Sequence, residues 1–499
     1  MLINNVNDMD GFQKRCTCAG ASQKNNREIE VGKAAEQSGR RDAHNLKISL
    51  CLFQANSDCP CLPMESDLSM RIAIIGAGIS GNLIARLLCQ EHDIEVFEAA
   101  HRVGGHTRTL RVAPFGKEYL VDTGFMVFNE RTYPNFSRLL HLLEVPAHNT
   151  DMSFSVRCDA TGLEYEGGSL NGLFAQRRNL VRPAFLGMLR DLIRFNRAAL
   201  SFLEEDLSGV SLRDILSRGR FGGWFVDKYL LPMSAAIWSC PPGRVLDFPA
   251  HAMLVFLRNH GFLQVWDRPQ WKTVVGSARR YVEELIRPYR DRIRSDSPVT
   301  SVRRFQDHVV VRTGQHPAEA FDSVILACHA DQALALLEDA DPAESEVLRA
   351  FPYQTNQAVL HTDTGLLPQR RRAWASWNYH VFDQAERPVA VTYDLSRLQD
   401  LDTPSPILLT LNCEDRVDPA KILDRCVFEH PVFTRDSPAA QQRFAEINGP
   451  RRTYFCGAYW GNGFHEDGVN SALAVAKYFG LGFNTWKAAS TKASFTTSV

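Results

Sequence analysis

Three glycines in Gly76-Ala77-Gly78-Ile79-Ser80-Gly81 have the spacing G-x-G-x-x-G. Such a run can bring backbone N–H groups up to a phosphate with no Cβ in the way. Glycines cluster in many turns, so the flanking chain decides the matter. Met70-Arg71-Ile72-Ala73-Ile74-Ile75 reads as a buried parallel strand, and Ile79, Leu83, Ile84, Leu87 and Leu88 repeat at helical spacing in a helix predicted to reach Glu91. Ile94-Glu95-Val96-Phe97-Glu98 is a second short strand, which completes a βαβ unit. In that unit Gly76 permits the tight turn, Gly78 admits a pyrophosphate against the backbone, and Gly81 lets helix and strand pack closely. Ile79 and Ser80 open the helix, whose free N–H groups and positive dipole end favour the phosphates. Glu98, about 20 residues past the first glycine, can accept hydrogen bonds from a ribose. The unit therefore binds a dinucleotide, but these residues alone do not separate a nicotinamide from a flavin.

Two further segments do. Glu98-Ala99-Ala100-His101-Arg102-Val103-Gly104-Gly105-His106-Thr107 sets a second glycine pair just past the ribose carboxylate. Near the other end lies Tyr454-Phe455-Cys456-Gly457-Ala458-Tyr459-Trp460-Gly461-Asn462-Gly463-Phe464-His465-Glu466-Asp467-Gly468-Val469. Together they resemble the flavin-containing amine oxidoreductase and phytoene desaturase superfamily. The resemblance implies noncovalent FAD, with Ala99, Gly104, Gly105, His106 and Thr107 beside its ribose and pyrophosphate. His106 stands where that group usually has Arg, and Ala100 replaces a common basic residue. It also implies that Gly124, Phe125 and Met126 lie under the flavin ring and that the backbone of Val299 meets adenine. Gly457 ends a strand, and a helix starting near Gly468 directs its N-terminus at the flavin N1–C2=O edge, with backbone from His465, Glu466 and Val469 along it. Cys456 lacks the context of a covalent flavin anchor.

The implied fold is α/β: an FAD-binding Rossmann-like (GR2-type) domain with an interleaved α+β substrate domain. Residues 70–150, 268–335 and 445–485 are assigned to the first, and 151–267 and 336–444 to the second. Residues 1–69 are expected to be a disordered leader and 486–499 a flexible tail. A closer resemblance, carried by Trp271–Tyr281, Ala373–Tyr379, Arg397-Leu398-Gln399 and Gly463–Asp467, is to bacterial predicted NAD/FAD-binding proteins often found beside cyclopropane-fatty-acid synthases.

The resemblance implies an FAD-dependent oxidoreductase working by hydride transfer at flavin N5. An apolar or acyl-lipid substrate is expected, undergoing desaturation, saturation or double-bond isomerisation. Amine oxidation is the alternative, although Phe464 replaces a cage Tyr and no Lys stands out in the candidate strand Gln354–His361. A noncatalytic FAD-binding partner protein is a further alternative. Trp374, Trp377, Tyr379, Phe256 and Phe262 are candidates for an apolar pocket, each equally readable as plain core. No catalytic acid or base is nominated.

Composition bounds these readings. With 56 Lys+Arg against 57 Asp+Glu, the net charge of -1 gives no global attraction to nucleic acid. No apolar run reaches membrane-spanning length. Cys16, Cys18, Cys51, Cys59 and Cys61 lie before Met70 in no standard zinc pattern, and the other cysteines are scattered singly. No metal is expected, and a cytoplasmic location is. Arg177, Arg178, Arg182, Arg190, Arg194 and Arg197 surround Leu186, Leu189 and Ile193 on a helix with Pro183 in its first turn. That face reads either as a solvated basic helix or as a peripheral contact with anionic lipid. The sequence gives no oligomeric state.

Overall fold

The computed structural model describes residues 69–238, 242–264, 268–314, 316–382 and 390–487. The expected leader, its last residue apart, and the tail from residue 488 lie outside them. The apolar run Arg71–Ile75 is the central strand of a five-stranded sheet, with Ile72, Ala73 and Ile74 fully buried. Across the sheet the order is Ile293–Arg294, Asp93–Phe97, Arg71–Ile75, Ser323–Leu326 and Thr453–Phe455, and every pair is parallel. All carboxyl ends therefore fall on one edge. Gly76, Glu98 and Ala327 each follow a strand end directly, and Gly457 comes two residues after its strand. In open α/β sheets this is the edge where ligands bind.

The first helix, Ile79–Leu88, packs with the late helix His465–Ala476 through Leu83, Ile84, Val469, Ala472 and Val475. It stops three residues short of the expected Glu91, because the Glu91 and His92 N–H groups turn back onto the Leu88 carbonyl and aim the chain into the strand at Asp93. The late helix starts at His465, not at Gly468. Asp467 reaches back to accept the Phe464 N–H at 2.9 Å, which begins the helix three residues earlier. Gly468 is a packing position: a Cβ there would meet Ile79 Cγ2 at 2.8 Å. Beside this sheet, Val299–Arg304 and Val309–Thr313 form two antiparallel strands. A turn closed by the Phe305 N–H to the His308 carbonyl separates them.

A seven-stranded mixed sheet forms the other half, in the order Ile422–Pro431, Tyr353–His361, Leu408–Leu411, Ala390–Asp394, Trp377–Val381, Phe154–Cys158, Leu163–Glu166. Helices from residues 170–260 pack on it, with Phe185, Met188, Phe195 and Phe225 set against Tyr165, Tyr379 and Tyr393. The longest is Pro183–Phe202, with Pro183 at its start. Among the described residues, no helix is long and apolar enough to cross a membrane.

Candidate active site

Two of the three glycines are fixed by the protein itself. Gly76 has φ +104, and a Cβ there would lie 2.7 Å from the Ala327 carbonyl oxygen; one on Gly81 would lie 1.9 Å from that of Gly76. Gly78 differs. A Cβ there would meet no protein atom within 4 Å. The space beside Gly78 is thus a cradle that a side chain would fill, as a phosphate site requires.

The double glycine closes over it. The Gly104 N–H donates to the Ala77 carbonyl at 2.8 Å, and a Cβ on Gly105 would stand 3.0 Å from Gly78 Cα. Arg102 ties this loop down, donating to the carbonyls of Thr107 (2.6 Å) and Gly105 (3.0 Å). Glu98 has a structural task that its spacing does not reveal. Its two oxygens accept the N–H groups of Ala77 (2.8 Å) and Ala100 (2.9 Å), joining strand end to phosphate loop. Each oxygen keeps a further lone pair for a ribose hydroxyl.

A cavity of about 1200 Å³ runs from this cradle to the mixed sheet. Of the anticipated site residues, Gly76, Gly78, Ile79, Ser80, Glu98, Ala99, Gly105, His106, Gly124, Phe125, Met126, Val299, Gly457 and His465 line it. Gly81, Gly104, Thr107, Glu466 and Val469 stand behind the wall. A drug-sized ligand occupies less than this volume, so a dinucleotide with a second molecule is accommodated.

The Gly124 turn is pressed on the His106 backbone: a Cβ would lie 1.9 Å from the His106 carbonyl oxygen, which accepts the Phe125 N–H at 2.9 Å. Buried Asp122 anchors the turn, accepting from Thr109 Oγ1 (2.5 Å) and the Ala278 N–H (2.8 Å). Burial pushes its carboxyl up to about 6. The His465 ring stacks on Phe125 at 3.7 Å, with its Nε2 2.6 Å from Tyr281 Oη and 3.3 Å from Thr107 Oγ1. Burial lowers that imidazole to about 3. The side chain is therefore a neutral lock that fixes the helix N-terminus while the residue borders the cavity. Glu466 turns away and accepts the N–H groups of Asn135 (2.9 Å) and Phe136 (2.8 Å), capping the helix Pro134–Leu142. Burial, opposed by these bonds, raises it to about 7.

His106 Nε2 is buried without a hydrogen-bond partner. Its ring centroid lies 5.3 Å from that of His430 and 6.4 Å from that of His329. Burial, then His430 and His329, holds His106 well below the usual imidazole range, and burial takes His430 to about 4. His329 stacks on Tyr353 at 4.3 Å and lies 3.3 Å from Glu429. Of these three histidines only His106 lies in a sequence motif; His329 and His430 belong to separate segments without one. Among the described residues, no His, Cys, Asp and Glu group is arranged to hold a metal.

The far half is apolar. Phe154, Met233, Ile237, Phe256, Phe262, Trp377 and Leu409 face the cavity. Phe464 stacks on Phe256 at 5.3 Å, and Phe256 on His260 at 3.9 Å. Two nominated aromatics do not line it: Trp374 donates Nε1–H to the Pro368 carbonyl at 2.7 Å, and Tyr379 is in the core under the helices. Asp151 and Glu429 are the carboxylates of this half. Asp151 accepts from Ser153 Oγ (2.9 Å) and pairs with Arg397 (3.2 Å), while Glu429 faces His329. No lysine is among the described lining residues.

A cradle open only at Gly78, a glycine-paired loop over it and a helix N-terminus at the cavity edge together suit a flavin dinucleotide. The family model for flavin containing amine oxidoreductases matches residues 79–378, and the chain belongs to that family. It is an FAD-dependent oxidoreductase. The fold is similar to that of a CLA-producing fatty acid isomerase from P. acnes, at 16% identity and TM-score 0.59 over 83% of this chain and 99% of that one. Cyclohexylamine oxidase from Brevibacterium oxydans IH-35A aligns at 15% identity and TM-score 0.60, over 83% and 100%. A putative protoporphyrinogen oxidase from Exiguobacterium sp. 255-15 aligns at 17% identity and TM-score 0.59, over 83% and 98%. No curated protein sequence matches the chain.

Proposed function

We propose that this oxidoreductase binds FAD noncovalently along the cradle and acts on an apolar, acyl-type substrate in the aromatic half of the cavity, by desaturation, saturation or double-bond isomerisation. FAD, when bound, supplies the hydride acceptor and donor at N5. The protein supplies the rest. Gly78 and the N-terminus of the helix Ile79–Leu88 would hold the pyrophosphate, and Glu98 the ribose. The N-terminus of His465–Ala476, locked by the Tyr281–His465 bond, offers a positive dipole end where charge develops on reduction. Phe256, Phe464 and Trp377 exclude water and provide flat apolar surface for an alkyl chain.

The lining of the far half carries this reading. A protonated amine needs an unengaged carboxylate, and both Asp151 and Glu429 already face cations or imidazole. Similar folds serve a fatty acid isomerase and amine oxidases alike, so the lining discriminates where the fold does not. The test is anaerobic mixing of FAD-loaded protein with long-chain unsaturated fatty acids, their acyl lipids, cyclohexylamine and putrescine, followed by absorbance and by product mass spectrometry. Acyl compounds should perturb or bleach the flavin band and emerge with altered unsaturation. Bleaching by amines with inert acyl compounds would instead identify an amine oxidase, and no response to any donor a noncatalytic FAD-binding partner.

A further inference from the structure

We propose that the face carried by the helix Pro183–Phe202 and the turns before it docks on an anionic lipid bilayer. Ten large hydrophobic residues are exposed among the described residues, and six of them fall in residues 170–200: Leu170, Leu180, Val181, Leu186, Ile193 and Leu200, at 43% to 79% exposure. Exposed leucines are ordinary when scattered, but a group of this kind marks a contact surface. Leu186, Ile193 and Leu200 recur every seven residues, so they form one stripe along the helix; Phe185, Met188, Phe195 and Ala199 fill the core on the other side. Phe174 against Phe185, at 5.9 Å, ties the preceding turns to the start of the helix.

Charge identifies the occupant. Arg190 and Arg197 lie one turn on from Leu186 and Ile193 within the same stripe, and Arg177, Arg178 and Arg194 are also exposed. The one acid of this helix, Asp191, is buried and bound to Arg194 at 2.6 Å. A chain with net charge -1 thus concentrates positive charge on this face, which ends at exposed Glu204, Glu205 and Asp206. Arginines interleaved with outward-pointing aliphatic residues suit a headgroup–acyl boundary, where the aliphatic tips enter and the guanidinium groups meet lipid phosphates. A two-fold contact between copies would set the arginines against one another. Gly168, on the cavity wall, is two residues from Leu170, within about 7 Å of chain. A docked bilayer would therefore lie beside the cavity. This use of the docking rests on the acyl-substrate reading, whereas the docking itself is read without turnover.

The experiment is cosedimentation of the FAD-loaded full chain with phosphatidylcholine vesicles, pure or with one-quarter phosphatidylglycerol. The anionic vesicles should retain the protein and the neutral ones should not. Each arginine near the surface contributes about fivefold, so Arg190→Gln with Arg197→Gln should weaken partitioning about 30-fold. Leu186→Glu with Ile193→Glu should weaken it by about tenfold or more. Flavin content and circular dichroism should stay unchanged in both, since all four positions are exposed. The proposal is overturned if anionic vesicles do not retain the protein or if both double variants bind as the wild type does. It is equally overturned if sedimentation velocity shows a dimer that Leu186→Glu with Ile193→Glu dissociates while vesicles remain bare.

Discussion

At the cradle end of the cavity, the backbone sets the geometry: N–H groups, carbonyls and glycines whose missing Cβ atoms define the space. At the far end, rings from different segments meet, with Phe256, Phe464 and Trp377 drawn from residues more than 80 positions apart. Backbone geometry tolerates few changes, because displacing one carbonyl moves a strand end. A wall of side chains can be reshaped while the scaffold stays in place. Substitutions at the cradle should therefore affect FAD, and folding as well where a Cβ would strike backbone, and substitutions at the far end the substrate alone.

The sharpest break should come from Gly81→Val. Its Cβ would sit 1.9 Å from the Gly76 carbonyl oxygen, which only movement of the βαβ unit relieves. The apoprotein should lose at least about 3 kcal/mol, read by urea unfolding. Next, Arg102→Ala removes two charge-assisted bonds from the double-glycine loop. FAD affinity should fall by roughly tenfold or more, measured by fluorescence titration. At the far end, Phe262→Ala should weaken an acyl ligand by about tenfold while the FAD dissociation constant is unchanged. A matched loss of FAD there would blur the division between the halves.

Two further effects are protonic and have opposite slopes. His430 is held near 4, below its unfolded value of 6.5, so the stability it confers is full above 6.5 and is lost as pH falls towards 4. Wild type minus His430→Asn, in unfolding free energy of the apoprotein, should shrink over that window. Glu466 is raised to about 7 from 4.5, so its contribution is full below 4.5 and is lost as pH rises through 7. Glu466→Gln should gain on wild type over that range.

The same contrast explains what was legible. Gly76, Gly78, Gly81 and Glu98 follow from spacing, because a βαβ turn around a phosphate admits few residue types. The late helix is legible in existence, but the pattern points to a start near Gly468, since the Asp467 cap hides behind a glycine that serves packing. Tyr281 as the lock of His465, and the grouping of His329 and His430 with His106, depend on side-chain packing between distant segments. No local pattern encodes those. The aromatics divide the same way: Trp374 and Trp377 look alike in sequence, yet only one faces the cavity.

Gly78 tests the account most directly. It has φ -77 and no protein atom within 4 Å of a would-be Cβ, so the backbone accepts a side chain there and Gly78→Val fills the space that the cradle holds open. Loss of two charge-assisted bonds to a pyrophosphate, each worth about 1.5–3 kcal/mol, weakens binding on the order of a hundredfold or more. The measurement is the FAD dissociation constant of wild type and Gly78→Val, alongside circular dichroism. The account predicts a folded variant that purifies largely without flavin; a folded variant with wild-type FAD affinity would contradict the placement of the pyrophosphate, and with it the division of the cavity.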